Sequence, residues 1–208
     1  MNKNLILVIL TGGKSSRMNF QNKSFLKIGD KYFIENIIQS LTKSVSKIII
    51  NANSDIDKYK SFNLEVIEDK IPGYKGPLAG LHGAMYNYQK TSDDLWFAIF
   101  PTDAPVVNKE LLNSFIKCLN SQQHKKDRKL AYISKIDNSI EPMFSFWSIK
   151  SFSHLDKILR VNQGYKIMKF AQEIGFNFLN FKKKCEQEFF NVNDQKDYER
   201  LLNLLKMN

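Results

Sequence analysis

The sequence has little cysteine and no long apolar run, and each shortage excludes a class of protein. Two cysteines, Cys118 and Cys185, are too few for a disulfide framework or a cysteine-based metal site. The best apolar run, Leu5–Leu10, is six residues long, whereas a membrane-spanning helix needs about 18 or more. No small-residue cleavage site follows it, which argues against a signal peptide. We therefore expect a reduced, cytoplasmic protein with no membrane partner.

Internal repeats, low-complexity blocks and Pro/Gly-rich linkers are also absent, so we predict a single domain over residues 1–208. Hydrophobic residues make up 43% of the chain and charged residues 25%, a composition that argues against disorder. The one unusual quantity is the net charge of +10. Such a charge suits nucleic acid, an anionic membrane or a phosphorylated small molecule, and equally suits a solvated basic surface.

Short apolar segments alternate with amphipathic ones along the first part of the chain. This alternation predicts an α/β fold in which a mostly parallel sheet lies between layers of helices. Predicted strands cover 5–10, 47–50, 64–67, 95–100, 130–134 and 143–147, and predicted helices cover 33–41, 78–89, 108–119 and 194–205. In such open sheets ligands bind beyond the carboxyl ends of the strands, so the residues after each strand are the candidates for a site.

The first strand is followed by Gly12 and Gly13, with Arg17 and Lys23 further along. Glycines let a backbone approach a ligand closely and offer its N–H groups to an anion, and the two cations add charge. The Gly-Lys-Ser stretch is not a phosphate-binding P-loop, because that motif needs a glycine at the position of Val8. A Gly-Gly turn alone is a weak signal, which a plain strand-to-helix loop explains more often than a phosphate site does.

Polar residues follow the other strands of this half. Asp103, between two prolines, is placed to hold Mg²⁺ near phosphates, since Mg²⁺ takes one or two carboxylates and fills its other positions with phosphate and water. An Asp that orders a turn is the alternative. Asn51 either reads a nucleobase, because an amide both donates and accepts, or is a turn residue. Gly76 and Gly80 flank a predicted helix start, which suits an anion or a base edge.

In order and spacing these elements resemble the molybdenum cofactor guanylyltransferases over nearly the whole chain. That family has Leu-Ala-Gly-Gly-x-x-x-Arg-Met-Gly, then Asp-Lys, and later elements matching Asn51, Asp69, Gly76–Gly80, Asp103-Ala-Pro, Glu141-Pro142 and Phe190-Asn-Val-Asn193. The resemblance implies a three-layer Rossmann-like nucleotidyltransferase fold. It also implies a nucleotide-binding N-terminal half and an acceptor-binding C-terminal half.

The implied reaction joins GMP from GTP to the terminal phosphate of molybdenum-molybdopterin and releases pyrophosphate, with Mg²⁺ as cofactor. The resemblance further implies contacts with molybdopterin-delivery and molybdoenzyme-maturation proteins. It makes Arg17, Lys23 and Asp103 catalytic, with Mg²⁺ on Asp103, and makes Asn191 and Asn193 candidates for the acceptor. The implied GTP-binding set is Leu10, Thr11, Gly12, Gly13, Lys23, Asn51, Asp69, Gly76, Gly80 and Asp103.

Three residues depart from the family pattern: Thr11 replaces Ala, Asn19 replaces Gly and Asn22 replaces Asp. Asn tolerates left-handed backbone, so the turn at Asn19 is expected to survive. Asn22 cannot act as a carboxylate, and we assign it no required role.

Two kinds of alternative remain. One is the same fold using CTP, or using a sugar phosphate as acceptor; the sugar enzymes usually carry Gly-x-Gly-Thr-Arg where this chain has Gly13-Lys-Ser-Ser-Arg17. The other is a nucleic-acid-binding module, suggested only by the charge. Because the basic residues are scattered and no aromatic-plus-basic RNA-binding motif is present, we expect no nucleic-acid partner.

Overall fold

A computed structural model describes residues 4–12, 22–73, 76–121, 126–127, 129–161 and 164–206. The described strands are β1 (Leu5–Leu10), β2 (Lys27–Ile28), β3 (Lys31–Tyr32), β4 (Lys47–Asn51), β5 (Glu65–Ile67), β6 (Trp96–Pro101), β7 (Ala131–Ile136), β8 (Ser139–Ser148) and β9 (Phe176–Phe181). The described helices are α1 (Phe33–Leu41), α2 (Ile56–Lys60), α3 (Pro77–Tyr86), α4 (Glu110–Leu119), α5 (Phe152–Val161), α6 (Ile167–Ile174) and α7 (Gln195–Lys206). Short 3-10 turns cover Lys23–Phe25 and Ile149–Ser151.

Seven of these strands form one sheet in the order β5-β4-β1-β6-β8-β7-β9, and β2 pairs with β3 in a small separate ribbon. Neighbours in the large sheet are parallel, except that β8 runs antiparallel to both β6 and β7. The two-residue connection from β7 to β8, Asp137 and Asn138, has positive φ at both positions, as a tight hairpin of the right twist requires. The predicted α/β fold with a mostly parallel sheet is confirmed.

Alternate residues of β1 enter opposite cores, which shows that the sheet is covered on both faces. Leu5, Leu7 and Ile9 pack in one cluster with apolar residues of α1, α2 and α4. Ile6, Val8 and Leu10 pack in another with residues of α3, α5 and α6. All six are buried, so the strand reads as a continuous apolar run rather than as an alternating one. The arrangement has the three expected layers.

The second half differs in detail from the sequence prediction. The structure adds α5, α6 and β9, and β8 is a ten-residue strand rather than the short 143–147 segment. In the first half, the predicted helix 78–89 is shorter than expected and ends at Tyr86. No helix among the described residues is both long enough and apolar enough to cross a membrane.

Candidate active site

Four strand ends meet at one edge of the sheet. The register pairs Leu10 of β1 with Asn51 of β4 on one side and with Pro101 of β6 on the other, and Asn51 pairs with Ile67 of β5. The order of β1 and its neighbours places a topological switch point beside β1, because the chain crosses to β4 on one side and β6 lies on the other. Parallel sheets bind ligands at such points.

Asp103 follows the end of β6, and Lys23 lies close enough to it to interact electrostatically. Burial of the Asp103 carboxyl raises its pKa, and the positive charge of Lys23 acts in the opposite direction. Both side chains are half-buried, so each has access to a ligand in the crevice. The structure therefore brings together two of the three residues expected to be catalytic.

Their chain neighbours hold this pair in place. Ser24, directly after Lys23, donates from Oγ to Oγ1 of Thr102, directly before Asp103, over 3.1 Å. Both hydroxyls are buried, and the Thr102 N–H also donates to the Leu10 carbonyl at 3.2 Å. Sequence reasoning missed Ser24 and Thr102, although their position next to Lys23 and Asp103 was the available signal.

Asn51 and Asp69 form a second cluster at the same edge. Asn51 Nδ2 donates to Asp69 Oδ1 over 3.0 Å, and Asn53 Nδ2 donates to Asp69 Oδ2 over 2.9 Å. The Asp69 N–H donates back to Asn53 Oδ1 at 2.9 Å. Asn51 is 6% exposed, so it orients the carboxylate from beneath, and Asp69 is the member that a ligand can reach.

The Thr11 hydroxyl turns back into the protein. Its Oγ1 donates to the Asn51 carbonyl over 2.9 Å, and its N–H donates to the same oxygen at 3.1 Å. The Thr in place of the family's Ala thus ties the start of the glycine loop to β4. Gly12, which follows, is exposed, and a Cβ there would meet no described atom within 4 Å.

Helix α3 begins beside this cluster, with Gly76 before it and Pro77 at its first position. Gly80 packs directly on the sheet edge. A Cβ at Gly80 would lie 2.3 Å from Asn51 Oδ1 and 2.6 Å from Leu10 Cδ2, closer than side chains tolerate. Gly80 is therefore needed for close approach of α3 to the strands. At the start of α3, Pro77 has no N–H and the Ala79 N–H donates to the Gly76 carbonyl over 3.1 Å, so these two positions offer no donor to an anion.

Gly80→Ala is expected to displace Asn51 and loosen its hold on Asp69. Overpacking costs about 1–3 kcal/mol, and the better helix propensity of Ala returns about 1 kcal/mol. We expect a small fall in melting temperature together with a clear loss of nucleotide affinity, measured by thermal denaturation and titration calorimetry. Wild-type affinity in a folded Gly80→Ala protein would show that Asn51 and Asp69 do not contribute to the site.

The acceptor candidates are joined to Asp103 through the backbone. The N–H of Val192, between Asn191 and Asn193, donates to the Asp103 carbonyl over 2.8 Å. Val192 is buried whereas both asparagines are exposed. The segment therefore runs beside the end of β6, with its two amides on the surface next to the crevice.

Gly13, Arg17 and Asn19 lie outside the described residues.

The described residues hold no cluster of three or more His, Cys, Asp or Glu side chains able to bind a metal. A single carboxylate at Asp103 still fits Mg²⁺, because that ion is held by one or two carboxylates together with substrate phosphates. A groove of about 940 Å³ lies elsewhere, between the end of α1, the start of α4 and residues 184–188. It contains none of the predicted site residues.

Known proteins are similar to this chain in sequence and share its architecture. The MobA-like NTP transferase domain matches residues 7–174. A Clostridium perfringens protein named "Probable molybdenum cofactor guanylyltransferase" is 33% identical over 93% of this chain and 94% of its own length. The molybdenum cofactor guanylyltransferase of Yersinia pestis is 31% identical over 95% and 94%.

Among solved structures, molybdopterin-guanine dinucleotide biosynthesis protein A from Archaeoglobus fulgidus has a TM-score of 0.73 and 20% identity, and the match covers 98% of this chain and 100% of that one. The fold and the site define an α/β nucleotidyltransferase. The chain belongs to the MobA-like NTP transferase family.

Proposed function

We propose that this protein transfers GMP from GTP to the terminal phosphate of molybdenum-molybdopterin, releasing pyrophosphate and forming the guanine dinucleotide cofactor. The observation that supports the proposal is the electrostatic interaction of Lys23 with Asp103, which follows β6, a strand whose end is in register with the end of β1, as is the end of β4. The names of relatives that match nearly the whole chain support the same reaction.

The chemistry asks for two anions to be brought together and held in line. Lys23, joined by Arg17, would neutralise the triphosphate as charge moves to the leaving pyrophosphate. An exposed glycine at position 12 leaves room for phosphate oxygens to reach backbone N–H groups of the loop. Positioning and charge stabilisation suffice for phosphoryl chemistry, so the protein needs no nucleophilic side chain.

Enzymes of this family generally depend on a divalent metal, and Mg²⁺ on Asp103 is our specific proposal. When bound there, the ion would supply Lewis-acid stabilisation worth several kcal/mol. The chain contributes a partly buried carboxylate beside the charge of Lys23, on a backbone that the Val192 N–H holds through the Asp103 carbonyl.

Guanine recognition is assigned to Asp69. Guanine offers two adjacent donors, N1–H and N2–H, which match the two oxygens of one carboxylate, whereas cytosine does not offer that pair. Asn51 and Asn53 each donate to a different oxygen of Asp69 and so fix the plane of the carboxylate before a base arrives. The Leu10 backbone, Gly76 and Gly80 shape the surrounding wall.

We assign the whole chain to one nucleotidyltransferase domain and the acceptor site to its C-terminal half, with Asn191 and Asn193 as contacts. Both asparagines are exposed, and Val192 between them bonds the Asp103 carbonyl, so an acceptor bound by them would have its phosphate next to the nucleotide. A product of this kind must be passed on, so delivery and maturation proteins of the molybdoenzymes are the partners we propose. The cytoplasm, where GTP is available, is the proposed location.

Competition between GTP and CTP tests the proposal. With purified protein, molybdopterin and Mg²⁺, we expect pyrophosphate release with GTP and at least about tenfold less with CTP, since a mismatched hydrogen-bonding edge leaves polar groups unpaired. Turnover of CTP with GTP ignored would contradict the guanine assignment. Turnover of a sugar phosphate in place of molybdopterin would contradict the acceptor.

A further inference from the structure

Lys23 stands on a short turn that the side chain of Asn22 fixes in place. Asn22 Oδ1 accepts from the Ser24 N–H over 3.1 Å, and the Asn22 carbonyl accepts from the Phe25 N–H over 3.0 Å. The turn has only three residues, so this cap determines most of its backbone. Asn22 therefore controls the point from which the Lys23 side chain leaves the chain.

The Asn22 amide group is fixed in turn by helix α2. Its Nδ2 donates to Asp55 Oδ2 over 3.0 Å and to the Tyr59 hydroxyl over 2.9 Å. Asp55 also pairs with Lys58 at 3.0 Å. The hydrogen bond from Asn22 and then the one from Lys58 lower the pKa of Asp55, so Asn22 faces an ionised acceptor.

From Tyr59 a directional chain of hydroxyls runs to the catalytic edge. The Tyr59 hydroxyl donates to Ser24 Oγ over 2.8 Å, Ser24 donates to Thr102 Oγ1 over 3.1 Å, and Thr102 Oγ1 points at the Leu10 carbonyl over 3.5 Å. A hydroxyl has one hydrogen, so the direction of the chain depends on a donor at its start and an acceptor at its end. The Asn22 amide N–H donates to the Tyr59 hydroxyl at this start. The Tyr59 hydrogen has two acceptors within reach, Ser24 Oγ at 2.8 Å and Asn22 Oδ1 at 3.2 Å, and the shorter contact is the one that continues the chain.

We propose that Asn22 is a positioning residue that sets Lys23 relative to Asp103, through its amide bonds to Asp55 and Tyr59 and the hydroxyl chain that leads to Thr102. The inference rests on the role proposed above for Lys23 at the triphosphate. It differs from our sequence interpretation, in which Asn22 was assigned no required role. The usual family residue at this position is Asp. In this chain the carboxylate introduced by Asn22→Asp would face the Asp55 carboxylate, where the Asn22 amide now donates a hydrogen bond.

Asn22→Asp is the direct test, and Asn22→Asp/Asp55→Asn is its rescue. The single variant should lower the affinity for Mg·GTP and the turnover at about pH 8 by about tenfold or more, because an acceptor replaces the donor to an ionised group. Part of the loss should return towards about pH 6, where the two carboxylates share a proton. The double variant exchanges amide and carboxylate, and Asn suits the left-handed backbone of Asp55 (φ 53°) at least as well as Asp.

The Lys23→Ala background separates a role of Asn22 through Lys23 from a purely structural role of Asn22. If Asn22 acts through Lys23, Asn22→Asp should have almost no further effect on Mg·nucleotide affinity in the Lys23→Ala background. Full additivity of the two effects, or wild-type affinity of Asn22→Asp at every pH, would overturn the proposal. A loss that the Asp55→Asn change leaves in place would overturn it as well.

Asn113→Asp is a matched control, because Asn113 likewise donates an amide hydrogen to a carboxylate, Glu110 Oε1 at 3.1 Å, but on α4. It should leave affinity and turnover unchanged. Should Asn22→Asp not fold, Tyr59→Phe removes only the hydroxyl link and should weaken affinity by a few-fold; no weakening there would count against the proposal. Affinities are taken with whichever of GTP and CTP the wild type binds, so failure of the guanine assignment is separable from failure of the role of Asn22.

Discussion

Asp103→Asn is expected to reduce turnover by roughly 10²-fold or more, the usual cost of removing one preorganised electrostatic group. The amide keeps the size of the side chain and leaves the backbone carbonyl free to hold Val192, so the fold should be retained. What is lost is the charge that would hold the metal. We expect weaker binding of Mg²⁺ together with the lower rate, both measurable by titration with a fixed concentration of GTP.

A matched control for this variant is Asp94→Asn, which makes the same change on an exposed carboxylate 4.0 Å from Lys150. It should affect neither the rate nor the metal affinity. Wild-type turnover of Asp103→Asn would remove Asp103 from the catalytic set. An unchanged metal affinity with a lower rate would instead place the metal on other residues.

The strand ends of the first half were predictable because their signal is local. A buried parallel strand is a continuous apolar run, and residues that follow it fall at one edge of the sheet. This placed Thr11, Asn51, Asp69 and Asp103 together before any coordinates. The second half gave weaker signals, since β8 is antiparallel and β9 has exposed residues such as Phe178.

The contacts that hold the site were not predictable, because they join residues far apart in the chain. The Ser24–Thr102 bond spans 78 positions and the Asn51–Asp69 bond spans 18. Without the register of the strands, the sequence could not show that the Asn51 amide donates to the carboxylate of Asp69. Nor could it show that the Asn22 amide donates to Asp55, just before α2, and to Tyr59 within α2.

The net charge of +10 is explained only in small part by the site. Of the many cations, Lys23 is the one that the described residues place beside Asp103. Lys182–Lys184 lies on the segment after β9, where the backbone N–H groups of Lys183 and Lys184 donate to Asp137 and Glu188. The charge alone suggested a polyanionic ligand. The residues at the strand ends instead support our proposal that the ligands are a nucleotide and a phosphorylated pterin.

Lys23→Ala should reduce turnover by roughly 10²-fold or more, because no other described cation is placed to take over the developing charge on the phosphates. The affinity for Mg·GTP should fall by at least about tenfold, because Lys23 would face the bound triphosphate, and the rate constant for chemistry should fall further, since charge on the leaving group grows in the transition state. Lys27→Ala, which removes an exposed lysine four residues along, serves as the control and should retain wild-type kinetics.

The same variant should change the pH dependence of metal binding. Lys23 lowers the pKa of Asp103 against the rise caused by burial, so its removal lets that pKa rise further. Only the ionised carboxylate binds a cation, so Mg²⁺ affinity of Lys23→Ala should be lost from a higher pH than in the wild type as the solution is acidified. Titrations at several pH values check this shift, and a midpoint that stays unchanged or moves to lower pH would mean that Lys23 does not act on Asp103.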